Sequence, residues 1–211
     1  MSDQTPALRE PWDALAKQRE AATFGIWVFL ASELLFFGAI FLVYAYLRAL
    51  HSTAFEQASS HTSVFYGTLN TAVLLTSSMT MVLAARAADI KVKAAVVVCL
   101  SLTAACGLIF LVVKGFEYKQ DIDDGLLPGD HFALAAAAAK MFFSFYWGIT
   151  VVHAVHLSIG IVAVLRLALD VYRDRLPLRS PQYEVTALYW HLVDIIWIIL
   201  YPLLYLGGRS S

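Results

Sequence analysis

Charge is scarce in this 211-residue chain: Asp, Glu, Lys and Arg supply 15% of its residues, against 60% for the hydrophobic types. That balance exceeds what the core of a water-soluble domain requires, so most of the surface must meet lipid. An excess of one sign is lacking too. With 15 Lys and Arg against 16 Asp and Glu, no basic surplus exists to hold a nucleic-acid backbone, and nothing argues for a DNA or RNA partner. Cysteine is nearly absent. Cys99 and Cys106 share one apolar run, and seven helical residues separate them by about 10 Å. A bridge cannot span that gap, and neither residue belongs to a CxxC pair. A disulfide framework and a cysteine metal site are therefore excluded, and both thiols read as small buried hydrophobes. The chain also has no internal repeat, no low-complexity tract and no inverted pair of interrupted helices, which weighs against a secondary transporter.

What the chain does have is length of apolar sequence. Runs near or above twenty residues occupy 24–47, 64–85, 94–113, 141–165 and 185–206. In hydrocarbon each backbone N–H and C=O must pair within its own segment, and the weak alternation along the runs excludes barrel strands. The expected fold is an all-α membrane bundle of five transmembrane helices spanning 24–207. A polar cytosolic or interfacial arm (1–23) precedes it and a short tail (208–211) follows. The first run is too long for a signal-peptide core and should stay uncleaved.

Between the runs lie connections at 48–63, 86–93, 114–140 and 166–184. The third holds Asp121, Asp123, Asp124, Asp130 and a Leu-Pro-Gly turn, and it reads as an acidic surface loop whose end, 131–140, winds into the fourth run through an alanine stretch. Lys and Arg then choose an orientation. One side carries ten (Arg9, Lys17, Arg19, Arg86, Lys91, Lys93, Arg166, Arg173, Arg175, Arg179), and the other carries five (Arg48, Lys114, Lys119, Lys140, Arg209). The N-terminus is placed in the cytoplasm and the C-terminus in the periplasm.

A few polar residues stand inside the runs. Glu33 lies about ten residues into the first, with no basic residue within two helical turns. A lone carboxylate at that depth is costly, so it is either protonated or turned into a protein interior with polar partners. It could be a proton-accessible carboxyl or a lipid-headgroup contact; the plainer reading is a neutral carboxyl bonded to a neighbouring helix. His153 and His156, with Gly160 a turn further, share a small polar face suited to close helix approach, with imidazoles bonded across the seam. HxxH alone supplies too few metal ligands, and packing is the preferred reading.

The fifth run carries Glu184, His191 and Asp194. The last two sit at i and i+3, where an imidazole and a carboxylate could relay a proton, orient a lipid or cofactor, or form an internal network that holds helix register; the network is preferred. Trp190, Trp197, Tyr201 and Tyr205 read as packing and interfacial aromatics. Glu117, just past the third run, reads as a solvated helix-end acid or as a partner for His or Arg at the bundle mouth. Asn70, Thr76, Ser77, Ser78 and Thr80 read as interhelical hydrogen-bonding groups.

Taken together, residues 30–37 (Leu-Ala-Ser-Glu-Leu-Leu-Phe-Phe), 115–118 (Gly-Phe-Glu-Tyr), His153-Ala-Val-His156 with Gly160, and 189–197 (Tyr-Trp-His-Leu-Val-Asp-Ile-Ile-Trp) resemble subunit III of cytochrome c oxidase, in order and spacing. The resemblance implies a noncatalytic subunit of an oxygen-reducing, proton-pumping complex in the bacterial cytoplasmic (inner) membrane. Haem and copper would belong to partner subunits. The chain would pack on subunit I, in company with subunit II and other respiratory subunits, bind phospholipid in a cleft, and support proton uptake and turnover stability. By position Glu33 matches the family's intramembrane glutamate, and His153, His156, Glu184, His191 and Asp194 match its bundle residues. The acidic third connection would then face a basic partner such as a soluble cytochrome.

Two departures stand out. Many members have seven helices and this chain begins at the equivalent of the third, so half of the lipid cleft is missing or comes from another chain, such as an extended subunit I. Late in the glutamate helix, where relatives often have Trp and His, stand Leu42 and Tyr46. Ubiquinol oxidases of the bo type have a similar five-helix subunit, often with Asp for the glutamate and Phe at position 189, so Glu33 and Tyr189 lean toward the cytochrome c branch. Relatives that accompany nitric oxide reductases share the fold. Readings of another class are a small membrane cytochrome with His153 and His191 as axial haem ligands, and a proton-coupled transporter using Glu33 with His191 and Asp194.

Overall fold

The computed structural model describes residues 15–129, 132–134, 136–177 and 180–207. The first part of the polar arm, Arg9, Asp130, His131, Ala135, Arg179 and the tail with Arg209 lie outside the described residues. Among those described there are six α-helices: α1 (Leu15–Leu50), α2 (Ser52–Ser60), α3 (Val64–Asp89), α4 (Lys93–Asp123), α5 (Ala137–Tyr172) and α6 (Gln182–Tyr201). Five segments are long and apolar enough to cross a membrane: Glu20–Leu50, Val64–Asp89, Lys93–Asp123, Ala137–Tyr172 and Gln182–Leu206. Pro202 has no N–H to give to the ladder, and after it the chain continues as one wider, π-type turn over Pro202–Leu206.

Every expected span is present, and most helices overrun the apolar run that announced them. The longest overrun at any one end is in α4, which continues to Asp123 rather than stopping near 113. Lys, Glu and Gln are good helix formers, so a helix need not end where its side chains turn polar. Two expectations change as a result. Lys114 is not a loop residue but a buried one within α4. Asp121 is not part of an acidic surface loop but a buried residue in the last turns of α4, while Asp123 and Asp124 are exposed. The first connection also contains a helix, α2, held by Phe55, whose ring packs 5.6 Å from those of Tyr44 and Phe142.

Helices α3 to α6 close a ring, α3 against α4 and α6, and α5 against α4 and α6. Between helices in lipid there is little hydrophobic drive, so close backbone approach through small residues matters more. Trp190 of α6 shows how it is achieved. Its ring lies against Gly107 of α4 and Gly160 of α5, where an added Cβ would stand 2.9 Å and 3.2 Å from ring carbons. Its Nε1 donates to Ser77 Oγ of α3 at 3.1 Å. One side chain thus ties all four ring helices.

Helix α1 leans on the outside of this ring. Its Tyr44 hydroxyl donates to Leu203 O at 2.6 Å and its Arg48 guanidinium to Gly207 O at 3.0 Å, so its end is pinned to the end of the α6 segment. Most of its span faces outward, with Phe24, Trp27, Leu34, Leu35 and Leu42 exposed.

Candidate functional site

Two polar clusters occupy the bundle. The first lies where α1 leans on α5 and α6, and it joins Glu33 to His156: Glu33 Oε2 is 3.0 Å from His156 Nε2. His156 Nδ1 lies 2.8 Å from Val152 O. A carbonyl can only accept, so Nδ1 carries a hydrogen, and the tautomer is decided. The Nε2–Oε2 contact then holds one further proton, placed either on the carboxyl beside a neutral imidazole or on the imidazole beside a carboxylate. Tyr189 donates its hydroxyl to His156 O at 2.9 Å, and Phe37 sets its ring edge-on to the imidazole at 5.3 Å. Both partners are about one-sixth exposed (16% for Glu33 and 18% for His156), so the pair is not sealed inside the bundle. Glu33 thus has a polar partner on a neighbouring helix.

The shared face of His153 and His156 divides. A step of three residues turns a helix by about 60° from exact eclipse, enough for the two imidazoles to meet different neighbours. His153 points into the ring, fully buried, with Phe110 and Trp197 at 5.6 Å and 5.2 Å and neither ring nitrogen hydrogen-bonded. The expected bonding across the seam holds for His156 and fails for His153. Gly160 does give the close approach expected of it.

His191 and Asp194 also part company. Ser78 Oγ and His191 Nδ1 are 2.9 Å apart, so the imidazole bonds to α3. Asp194 is buried with both carboxyl oxygens outside hydrogen-bond geometry, and no His191–Asp194 bond joins the two. Glu184 is exposed in the first turn of α6, where an acid suits the partial positive charge of a helix N-terminus. The polar residues of α3 serve as expected, Ser77 with Trp190, Ser78 with His191, and Thr80 with Thr103 at 2.8 Å. Thr76 and Asn70 are the exceptions: Thr76 donates within its own helix to Ala72 O at 2.8 Å, and Asn70 is buried with neither amide atom bonded.

The second cluster departs furthest from the sequence reading. Glu117 is not a solvated helix-end acid: it is 1% exposed, inside α4, and it pairs with Lys114, 2% exposed, at 2.9 Å. Lys114 Nζ also donates to the hydroxyls of Tyr146 (2.9 Å) and Tyr205 (2.7 Å). The Tyr146 oxygen lies 2.9 Å from Glu117 Oε1 and 3.0 Å from Asp121 Oδ2. Lys114, Asp121, Tyr146 and Tyr205 were all missed as members of a site. A signal existed, since Lys114, Glu117 and Asp121 follow an i, i+3, i+7 rhythm that marks one helix face. It becomes visible only when the helix is carried two turns past its apolar run. Among the described residues no group of three or more His, Cys, Asp and Glu side chains could hold a metal ion.

Fold and clusters together define a polytopic α-helical membrane protein whose intramembrane polar groups turn mostly toward one another. Within that class, the chain belongs to the cytochrome c oxidase subunit III family, which it matches over residues 15–209, and its role is that of subunit III of a haem-copper oxidase. It is 30% identical to "Cytochrome c oxidase subunit 3" of Thermostichus vulcanus over 194 residues, 88% of this chain and 87% of that protein. It is 29% identical over 97% of its length to 24% of "Heme-copper oxidase subunit I+III" of Aeropyrum pernix. "Cytochrome bo(3) ubiquinol oxidase subunit 3" of Buchnera aphidicola subsp. Schizaphis graminum is 27% identical, over 90% of this chain and 96% of that protein.

Proposed function

We propose that this subunit carries no redox centre of its own, that it packs against subunit I, which with its partners holds the haem and copper, and that it supports proton uptake and the durability of the complex through Glu33. The observation that carries this reading is the Glu33–His156 contact, which joins α1 to α5 at 3.0 Å while both side chains stay partly exposed. An ionisable pair inside a membrane is expensive and is characteristically functional. The partial exposure of both side chains leaves a phospholipid headgroup able to meet the pair. The fused name of the Aeropyrum protein supports the pairing with subunit I.

The same reading sets the chain in a bacterial inner membrane with its N-terminus in the cytoplasm, supported by the Lys and Arg bias, which grows once Lys114 is removed from the second side. Of the two donor branches that the relatives represent, Glu33 and Tyr189 favour cytochrome c over quinol. The test is Glu33→Ala in the assembled oxidase. The complex should form with its haem content intact while proton uptake slows or turnover-induced inactivation accelerates. Wild-type rates, lifetime and lipid content would reduce Glu33 to packing.

A further inference from the structure

At the Tyr146 hydroxyl of the Lys114 cluster there are more carboxyl contacts than hydrogens to serve them. An ammonium has three N–H groups, and Lys114 uses all three, on Glu117 Oε2, Tyr146 and Tyr205. That leaves two contacts at the Tyr146 oxygen, to Glu117 Oε1 at 2.9 Å and to Asp121 Oδ2 at 3.0 Å. A phenol has one hydrogen, so it can make a full, well-aligned bond to only one of them. Two oxygens at that separation with no hydrogen between them, one or both anionic, repel.

Charge leads to the same place. Lys114, Glu117 and Asp121 are all buried. With both carboxyls ionised, the cluster would hold one negative charge in excess, in surroundings where an unmatched charge costs several kcal/mol. Asp124, exposed in the turn just beyond α4, would add to that excess. The other titratable groups facing the cluster are Tyr118 of α4, whose hydroxyl is engaged by Thr150 at 2.8 Å, Tyr205 at the end of the α6 segment, and His153 of α5, and none of them brings a second cation within hydrogen-bond reach. One added proton satisfies both counts. It completes the fifth contact and leaves Lys114 balanced by a single carboxylate.

We propose that Asp121 and Glu117 share one exchangeable proton through the Tyr146 hydroxyl, which makes this cluster a second proton-binding site of the subunit, separate from Glu33 and His156. The proton rests on Asp121, because Glu117 is the carboxylate in direct contact with the Lys114 ammonium. Asp121 lies two residues from the end of α4, beside the exposed Asp123 and Asp124, which places the exchange of its proton at that end of the bundle.

The test is infrared spectroscopy of the assembled oxidase in H2O and D2O, on wild type and on variants of this chain. Wild type should show a protonated-carboxyl stretch, shifted down by deuterium, that Asp121→Asn removes and that both Asp194→Asn and Glu33→Gln retain. Glu117→Gln should remove the same band, because Asp121 then becomes the sole anion facing Lys114 and ionises. A local reading of Asp121 does not require that loss. Tyr146→Phe keeps the ring and deletes the bridging oxygen, so it should move the band or abolish it. A band set unchanged in Asp121→Asn, a band that survives Glu117→Gln, or a frequency unmoved by Tyr146→Phe would each overturn the proposal. Should Asp121→Asn fail to assemble, the other two variants decide it.

Discussion

Glu33 and His156 stand 123 residues apart in the chain and meet at 3.0 Å across the seam between α1 and α5. Because His156 Nδ1 is committed to Val152 O, the imidazole cannot turn its hydrogen toward Glu33 without losing a backbone bond or gaining a proton. The two side chains therefore act as one unit. Removing either should have much the same consequence as removing both. Glu33→Ala, His156→Ala and the double variant, compared for proton uptake and inactivation rate in the assembled complex, should show single effects that fail to add. Additive effects would mean that the two residues work independently.

The Trp190 slot predicts a cost for the smallest possible enlargement. A Cβ at position 107 would stand 2.8 Å from Ile161 Cγ1 and 2.9 Å from Trp190 Cη2, with both neighbours already packed. Overpacking of that kind destabilises by roughly 1–3 kcal/mol. Gly107→Ala should lower the thermal midpoint of the detergent-solubilised subunit by several degrees. Gly148→Ala, at a site with nothing within 4 Å of the new Cβ, should leave it unchanged or raise it slightly, since Ala is the better helix former.

Lys114 and Glu117 form a buried pair, so the loss depends on what is left behind. Lys114→Met strands two carboxyls in the bundle and should cost about 3–5 kcal/mol, whereas Lys114→Met combined with Glu117→Leu should recover much of that loss. Unfolding of the purified subunit by denaturant would measure both. A double variant no better than the single would show that the cluster's value lies in its hydrogen bonds with the tyrosines rather than in charge balance.

At the opposite end of the bundle, Lys93 and Asp174 are 2.6 Å apart but 39% and 80% exposed. Water and salt screen such a pair, which is worth about 0–1 kcal/mol. Asp174→Ala should move the unfolding midpoint barely at all, and less still at high salt. A drop comparable with that of Lys114→Met would show that exposure is a poor guide to the strength of these pairs.

Among the polar residues, those flagged by depth alone were read most securely. Glu33 was recognisable as a group in need of a partner, because an isolated acid in a long apolar run has few options. The need for close approach at Gly160 was equally plain. What could not be read was who meets whom. His191 and Asp194 suggest a pair by spacing, yet His191 bonds to Ser78 of α3, and Asp194 faces Ser78 rather than His191. The apolar run stops short of Lys114 and Asp121, which points to a loop, although the helix carries on through both.

The division has a physical basis. Hydropathy and length were enough to set the helical class and the number of spans, since a backbone in hydrocarbon must satisfy its own hydrogen bonds whatever its neighbours are. Partner choice depends on the rotation and depth of each helix against the others, and a turn of about 60° separates a residue that faces the ring interior from one that faces α1. No local pattern encodes those rotations. They are settled by close packing around groups such as Trp190, and only the assembled bundle brings Glu33 to His156 and closes Lys114, Glu117, Asp121, Tyr146 and Tyr205 into one cluster.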